Sequence, residues 1–562
     1  MDLLIKNGIV FDPINHVQGE KMDIAITNGT IVEKCRNPRI LDATGMVVMP
    51  GGVDLHSHIA GAKVNAGRLL RPEDHFKDVE PRTPHTRSGV GYSIPSTFTT
   101  GYRYSRMGWT TVMDPAMPPL KAKHTHEELN DTPMLDKGAY PLLGSNWFVL
   151  EYLRSKDYKH CASYVAWIMN ATKGFAIKLV NPGGVEAWGF GRNVRDIDDP
   201  VPNFDITPRE IVRGLCEVNK LLNMPHTIHV HTNNLGKPGN YITTLETMRC
   251  VEDLATDRNP IMHLTHCQFS AFAGDDWRTF KSASEEISKY VNTHSHVTLD
   301  MGQIIFTNTT TMTADGPFQF ILYQLSGNKW VNNDVETETS SGIVPFQYKR
   351  KNYVNAVQWT IGLELALQIT DPWKILLTTD HPNAGPFTAY PKVISWLMSR
   401  EARENTMAKI SKKARRKAVL SALDREYNLH EIAIVTRAGQ AKVLGLKDKG
   451  HLGIGADADV AIYNLNPEST DMTTKPQMIR RAFEKAAYTI KNGEIVVKDG
   501  EIMRSVPGKT YWVNVQASPS RLEIEPELRK VFEEYYTVKY ENYIVPNSFS
   551  AHQKPLDAKA TI

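Results

Sequence analysis

Cysteine is scarce and scattered in this chain. There are five in 562 residues, Cys35, Cys161, Cys216, Cys250 and Cys267, with no CxxC anywhere. That excludes a disulfide framework and leaves no cysteine seat for zinc or for an iron–sulfur cluster carried by this chain alone. A reduced, cytoplasmic protein is the expectation. No Gly-rich dinucleotide or phosphate loop appears, so redox cofactors and ATP have no visible place. No stretch approaches the roughly 18 uninterrupted apolar residues of a membrane span. The start, Met1-Asp2-Leu3-Leu4-Ile5-Lys6-Asn7-Gly8, lacks the basic and apolar regions of a signal peptide. Charge of one sign is also missing: Lys and Arg total 65 against 62 Asp and Glu. Net charge therefore gives no reason to expect nucleic acid or an anionic membrane as partner.

What the chain does have is length enough for more than one domain, and two ends that look alike. Leu3–Phe11 and Asp23–Val32 are short β segments carrying Asn7-Gly8 and Asn28-Gly29, and Asp459–Tyr463 and Tyr488–Gly500 repeat the pattern with Asn492-Gly493 and Asp499-Gly500. Asn-Gly favours positive φ at both turn positions and is the strongest short-range hairpin signal. Neither end has strands enough to close a core alone. Residues 1–50 and 443–515 are therefore expected to build one small β-sandwich domain from both termini. Between them, apolar strands (107–114, 174–180, 226–231, 261–266, 374–380) alternate with helical patterns such as 208–222, which indicates parallel βα units. Polar residues at successive strand ends suggest a (β/α)₈ barrel over 51–442, with insertions at about 59–106 and 304–356. The tail, 516–562, reads as a short helix around 523–532 and an irregular end.

Chemistry concentrates at those strand ends. His56 and His58, in Val53-Asp54-Leu55-His56-Ser57-His58, have the i, i+2 spacing that puts both rings on one strand face. Far downstream, the strand Lys374–Leu377 runs into Thr378-Thr379-Asp380. Two imidazoles and a distant carboxylate suit a borderline metal such as zinc; the bland readings are a chance pair and an N-cap aspartate. Lys178 lies inside the apolar run Phe175–Val180, where a buried ammonium is costly. Burial would leave a free amine able to take up CO2 as a carbamate, an anion that can bridge two metals; the alternative is a lysine snorkelling at a strand edge. His229 and His231 share a strand, as do His263 and His266. One of each pair is expected to bind and the other to support, with His231 and His266 favoured by their C-terminal positions. His294 and His296 read as packing residues. The insertion 59–106 carries Lys63, Arg68, Arg71 and Arg103 among other basic groups, suited to substrate carboxylates or equally to a solvated loop.

This set, HxH, strand-embedded lysine, two histidines and a late aspartate, resembles the amidohydrolase superfamily. The likeness runs from Pro50-Gly51-Gly52-Val53-Asp54-Leu55-His56-Ser57-His58 through Thr379-Asp380-His381 into Gly450-His451-Leu452-Gly453. Within it the chain is similar to the A-subunit family of formylmethanofuran dehydrogenases, in the insertion after His58, Phe190-Gly191-Arg192-Asn193, His229–Leu235 and Leu299–Gln303. The resemblance implies a subunit that condenses formate with the amine of methanofuran, or hydrolyses the formamide, during CO2 reduction in methanogenesis. It implies two divalent metals, zinc, on His56, His58, N6-carboxylysine at Lys178, His231 and His266, with Asp380 as proton carrier and Arg192 and Asn233 near substrate. It implies partner subunits bearing molybdenum or tungsten and iron–sulfur clusters. A free-standing cyclic amidase and a metal-free scaffold are the alternatives.

Overall fold

The computed structural model describes residues 2–255, 260–335, 338–516, 524–549 and 551–562. Glu523, the first residue of the expected tail helix, lies outside the described residues, as do Glu336 and Thr337 of the second insertion. The N-terminal segment forms β1 (Leu3–Asp12), β2 (Val17–Thr27), β3 (Thr30–Val32), β4 (Arg39–Asp42) and β5 (Val47–Pro50). Asn28 and Gly29, at φ +51° and +80°, make the predicted turn between β2 and β3. Asn7-Gly8 does not turn the chain. It makes a bulge within β1, where pairing with β2 slips between Ile5↔Ile24 and Gly8↔Met22. The positive φ of Asn7 (+60°) is used to absorb one extra residue, because the chain beyond Gly8 keeps pairing with β2.

The middle of the chain supplies β6 (Gly52–Asp54), β7 (Trp109–Met117), β8 (Asp136–Pro141), β9 (Lys178–Val180), β10 (Ile228–His231) and β11 (Met262–Leu264). A small hairpin, β12 (Phe272–Ala273) and β13 (Lys281–Ser282), precedes β14 (Val297–Asp300). β15 (Asn308–Thr313), β16 (Val331–Val335) and β17 (Glu338–Gln347) form a sheet of their own, and β18 (Ile375–Leu376) follows. β6-β7-β8 and β9-β10-β11-β14-β18 pair in parallel. Two isolated parallel bridges, Leu142↔Lys178 and Ser57↔His381, join the ends of these two sets. Between strands lie helices such as Pro208–Leu221, opened by a capping box of Thr207 with Glu210 and a proline in its first turn.

β19 (Val460–Tyr463), β20 (Tyr488–Lys491), β21 (Glu494–Lys498) and β22 (Glu501–Ile502) return to the N-terminal strands. The β5–β19 ladder, Val47↔Tyr463 to Pro50↔Val460, makes one nine-stranded sheet of both ends. Buried lysines tie this sheet to the start of β8. Lys491 Nζ lies 2.7 Å from both Asp136 and Asp459, and Lys449 Nζ contacts Asp136, Asp457 (2.8 Å) and Asp459 (2.6 Å).

The last strands depart from expectation. β23 (Thr510–Gln516), grouped by sequence with the terminal β domain, pairs instead with β8 and with β24 (Gln553–Lys559). The tail is thus ordered beyond its helix (Glu525–Tyr535). Phe532, Tyr540 and Tyr543 are buried around Trp167, whose ring centroid is 4.8 Å from that of Tyr540. β24 is mostly polar, so its sequence carries no alternation by which to find it.

The insertions pack on each other. Val64 and Ile94 from the first and Met312 and Ile343 from the second form a small core. Arg71 donates to Thr309 O, Arg103 to Gly91 O and Asp78 O, and Arg68 pairs with Glu128 at 2.9 Å. These arginines hold the insertion's own backbone and neighbours, while Nη2 of Arg68 and Nε of Arg71 are buried without a hydrogen bond.

Candidate metal centre

Register sets the site. Lys178, His229, His263 and Thr298 lie in one row across β9, β10, β11 and β14. His231, two residues beyond His229 and on the same face, stands one pleat nearer the C-terminal ends. His266 follows β11 at φ +39°, a left-handed turn that swings it off the strand path. The bridge Ser57↔His381 sets the HxH segment beside Asp380.

Above the row, the rings of His56 and His58 are 5.7 Å apart, those of His56 and His266 5.2 Å, and those of His231 and His266 4.7 Å. Asp380 Oδ1 lies 3.0 Å from His56 Nε2 and 3.3 Å from His58 Nε2. Lys178 Nζ donates to Thr265 Oγ1 at 3.0 Å, and that hydroxyl is 3.1 Å from His266 Nε2. All these side chains are buried. The structure therefore brings His56, His58, Lys178, His231, His266 and Asp380 together, and donor atoms of His56, His266 and Asp380 lie within 4.8 Å of one another.

The remaining histidines separate by layer. His263 is committed on both nitrogens, Nδ1 to Thr298 Oγ1 (2.9 Å) and Nε2 to Asp300 Oδ2 (3.2 Å). His229 packs between Tyr140 and His263, at 4.7 and 5.0 Å between centroids. His294 and His296 bond Tyr290 O and Met248 O, in keeping with packing roles. Arg192 is exposed on the loop after the helix Gly184–Gly189. Asn233 is buried and its amide donates to Asn181 Oδ1 (2.8 Å) and Pro182 O (2.9 Å), so it braces the end of β10.

Burial dominates the electrostatics. It pushes the four histidines, His56, His58, His231 and His266, below the ordinary imidazole range, helped by the Lys178 charge. Neutral imidazole is the form that binds a metal. Burial brings Lys178 down to about 7 against the opposing pull of Asp300 and Asp380, so much of it is free amine near neutrality. Burial raises the Asp380 carboxyl well above the usual carboxylate range, although Asn383 donates to it at 2.9 Å. Nδ1 of His56 and Nδ1 of His266 have no hydrogen-bond partner. Neutral imidazoles, a carboxylate and a reactive amine with unsatisfied buried donors fit a divalent cation.

Three carboxylates carry no sequence signal strong enough to have placed them here, and Lys63 was one of several basic groups in its insertion with nothing to single it out. Lys63 Nζ is buried without a hydrogen bond, in the field of Asp114 and Asp380, and burial lowers it to about 8. Asp315, from the second insertion, stands 3.1 Å from His231 Nε2. Asp54 accepts from Tyr104 (2.7 Å), Tyr390 (2.5 Å) and the His56 N–H (3.0 Å). Asp300 ends β14; its one hint was an apolar strand closing on aspartate, the same form as the segment before Asp380.

The family model described as "Amidohydrolase family" matches residues 39–497. Protein FwdA of Methanocaldococcus jannaschii is 54% identical over 570 residues, covering 100% of both chains. The A component of the formyltransferase/hydrolase complex Fhc from Methylorubrum extorquens is 35% identical over 541 residues, 94% of this chain and 93% of that one. The crystal structure of that organism's FhcABCD complex with methylofuran contains a chain that superposes with a TM-score of 0.90 at 34% identity, covering 99% of this chain and 100% of that one. On its sequence, its parallel α/β fold and these relatives, the chain belongs to the amidohydrolase family.

Proposed function

We propose that this chain is the amidohydrolase-type subunit of a formylmethanofuran dehydrogenase, reversibly joining formate to the primary amine of methanofuran. The observation that carries the reading is near-complete structural superposition on a chain from a complex crystallised with methylofuran, combined with the buried histidine–lysine–aspartate cluster. Partner subunits with molybdenum or tungsten and iron–sulfur clusters would supply formate, since this chain shows no seat for the redox step, and the cytoplasm is the proposed location. Among the described residues no helix is long and apolar enough to cross a membrane.

His56, His58, His231, His266 and Lys178 would hold two zinc ions, with Lys178 as N6-carboxylysine. Its amine nitrogen adds to the carbon of CO2 and loses a proton, leaving a carbamate. When bound, the cations acidify water and polarise the formyl carbonyl. Asp380, with its proton affinity raised by burial, takes the proton of the attacking water and hands it to the departing amine nitrogen. In the condensing direction the same carboxylate receives the amine's proton and returns it to the leaving oxygen. Lys63 offers a buried cation for the carboxylate of formate, and Arg192 an exposed one for the carboxylates of methanofuran.

The bridges Leu142↔Lys178 and Ser57↔His381 support closure of eight parallel strands into a (β/α)₈ barrel over residues 51–442. The shared core of Ile5, Val10, Ile26, Val48, Val460 and Ile490 supports a small β-sandwich of both termini, ending before β23. The function is tested by assaying the purified complex for hydrolysis of formylmethanofuran and for ring opening of hydantoin and dihydroorotate. Chelator-sensitive formamide hydrolysis is expected, and turnover of the cyclic substrates alone would refute it.

A further inference from the structure

Asn383 is buried three residues beyond Asp380, in the loop that brings that carboxylate beside His56 and His58. Its backbone N–H closes the loop on Asp380 O at 2.6 Å, and its side-chain amide turns back to donate to Asp380 Oδ1 at 2.9 Å. Two bonds from β15 hold it from the other side. The Met312 N–H donates to its amide oxygen, and the Thr309 hydroxyl to its backbone carbonyl at 3.1 Å. We infer that Asn383 is a positioning residue through which the second insertion orients the Asp380 carboxylate for proton transfer. The inference rests on the proton-carrier role given to Asp380 above.

The chemistry of its neighbours fixes which way the amide points. A backbone N–H only donates, so Met312 selects the amide oxygen. The NH₂ group is left facing the carboxylate, which in its ionised form only accepts. Both ends are satisfied in this orientation and both are opposed in the reverse one. A residue that merely closed the turn would need its backbone bond alone. The carboxylate also has reason to be guided, since Asp380 sits at φ +45°, in the left-handed region that non-glycine residues seldom adopt. The anchor reaches further back. Arg71 of the first insertion donates to Thr309 O and, at 3.0 Å, to Thr310 Oγ1, and Ser93 Oγ stands 2.9 Å from that hydroxyl. β15 is thus held by the first insertion where it holds Asn383. Misplacing a reacting group by about 1 Å can cost on the order of 100-fold in rate, which gives two insertions a reason to converge on one amide.

Asn383→Leu is the sharp test because it stays close in shape and removes the donor. The purified complex is assayed for formylmethanofuran hydrolysis in the wild-type and Asp380→Asn backgrounds, with kcat and KM separated and zinc content measured alongside. In the wild-type background kcat should fall about 10- to 100-fold, the range for losing a hydrogen bond to a charged group. KM and zinc content should stay near wild type. In the Asp380→Asn background the same substitution should cost markedly less, because residues that act through one another are not additive. An unchanged kcat in the wild-type background, an equal loss in both, or a loss matched by lost zinc overturns the inference. Should Asn383→Leu not fold, a crystal structure of the wild-type complex with zinc decides. Nδ2 of Asn383 within about 3.2 Å of an Asp380 carboxylate oxygen is expected, and a separation beyond about 3.5 Å overturns it. Full turnover by Asp380→Asn alone refutes instead the proton-carrier reading on which the inference rests.

Discussion

Asp380 Oδ1 and His56 Nε2 stand 3.0 Å apart, one from the segment after the last parallel strand and one from the segment after the first. The proposed mechanism gives that carboxylate the proton traffic. Asp380→Asn keeps the shape and removes the base, so turnover should fall by roughly 10²–10⁴-fold, the usual range for general acid–base catalysis. Zinc content, measured by elemental analysis, should stay near wild type. Retained turnover would remove Asp380 as the proton carrier.

Lys178 is predicted to hold metal only as its carbamate. Lys178→Ala should therefore lose zinc and formamide hydrolysis together. Reconstitution of wild-type apoprotein should depend on bicarbonate in the buffer. A Lys178→Ala protein with full zinc occupancy would show that this lysine is no ligand.

Gly302 follows β14 at φ +61°, and a methyl group there would stand 2.4 Å from Cβ of His266. Gly302→Ala must displace His266 or the β14 end, at a cost of about 1–3 kcal/mol for an overpacked, strained site. Weaker zinc binding and a lower thermal midpoint are expected, without loss of secondary structure in circular dichroism.

The buried network of Asp136, Lys449 and Lys491 makes a prediction about acid. Burial raises the Asp136 carboxyl, but the two ammonium groups outweigh it and hold the carboxyl well below its ordinary range. A depressed carboxyl contributes stability that is complete above its unfolded value, about 3.9, and declines as pH falls below that toward the folded one. Asp136→Asn leaves two buried ammonium groups short of charge and should destabilise by about 3–5 kcal/mol at pH 7. In urea unfolding, the gap to wild type should hold down to about pH 4 and narrow below it. A gap independent of pH would show that the ion pairs are not its source.

Much of the site was legible because its signals are local. The i, i+2 spacing of His56 and His58, the lysine inside an apolar run, and the aspartate closing a strand each need only a few neighbouring residues to be noticed. The choice between His263 and His266 was harder, since it depends on where β11 stops and on a left-handed turn after it. Arg68 and Arg71 of the first insertion take partners on distant segments, Glu128 and Thr309, that no spacing reveals. Asn7-Gly8 signalled a positive φ that Asn7 adopts and Gly8 does not, and the pairing beyond it made a bulge where a turn was expected.

By itself, then, the order of residues determined the parallel α/β class and pointed to the pairing of both ends and to the side chains proposed for the chemistry. Periodicity and turn preference are properties of short stretches and survive without context. Tertiary structure alone decided that Asp300, Asp315 and Lys63 stand among those side chains, that β24 completes an edge beside β23, and that Asn233 braces a strand end. Each of those outcomes depends on contacts between segments far apart in the chain, set by strand register and close packing, which no local pattern encodes.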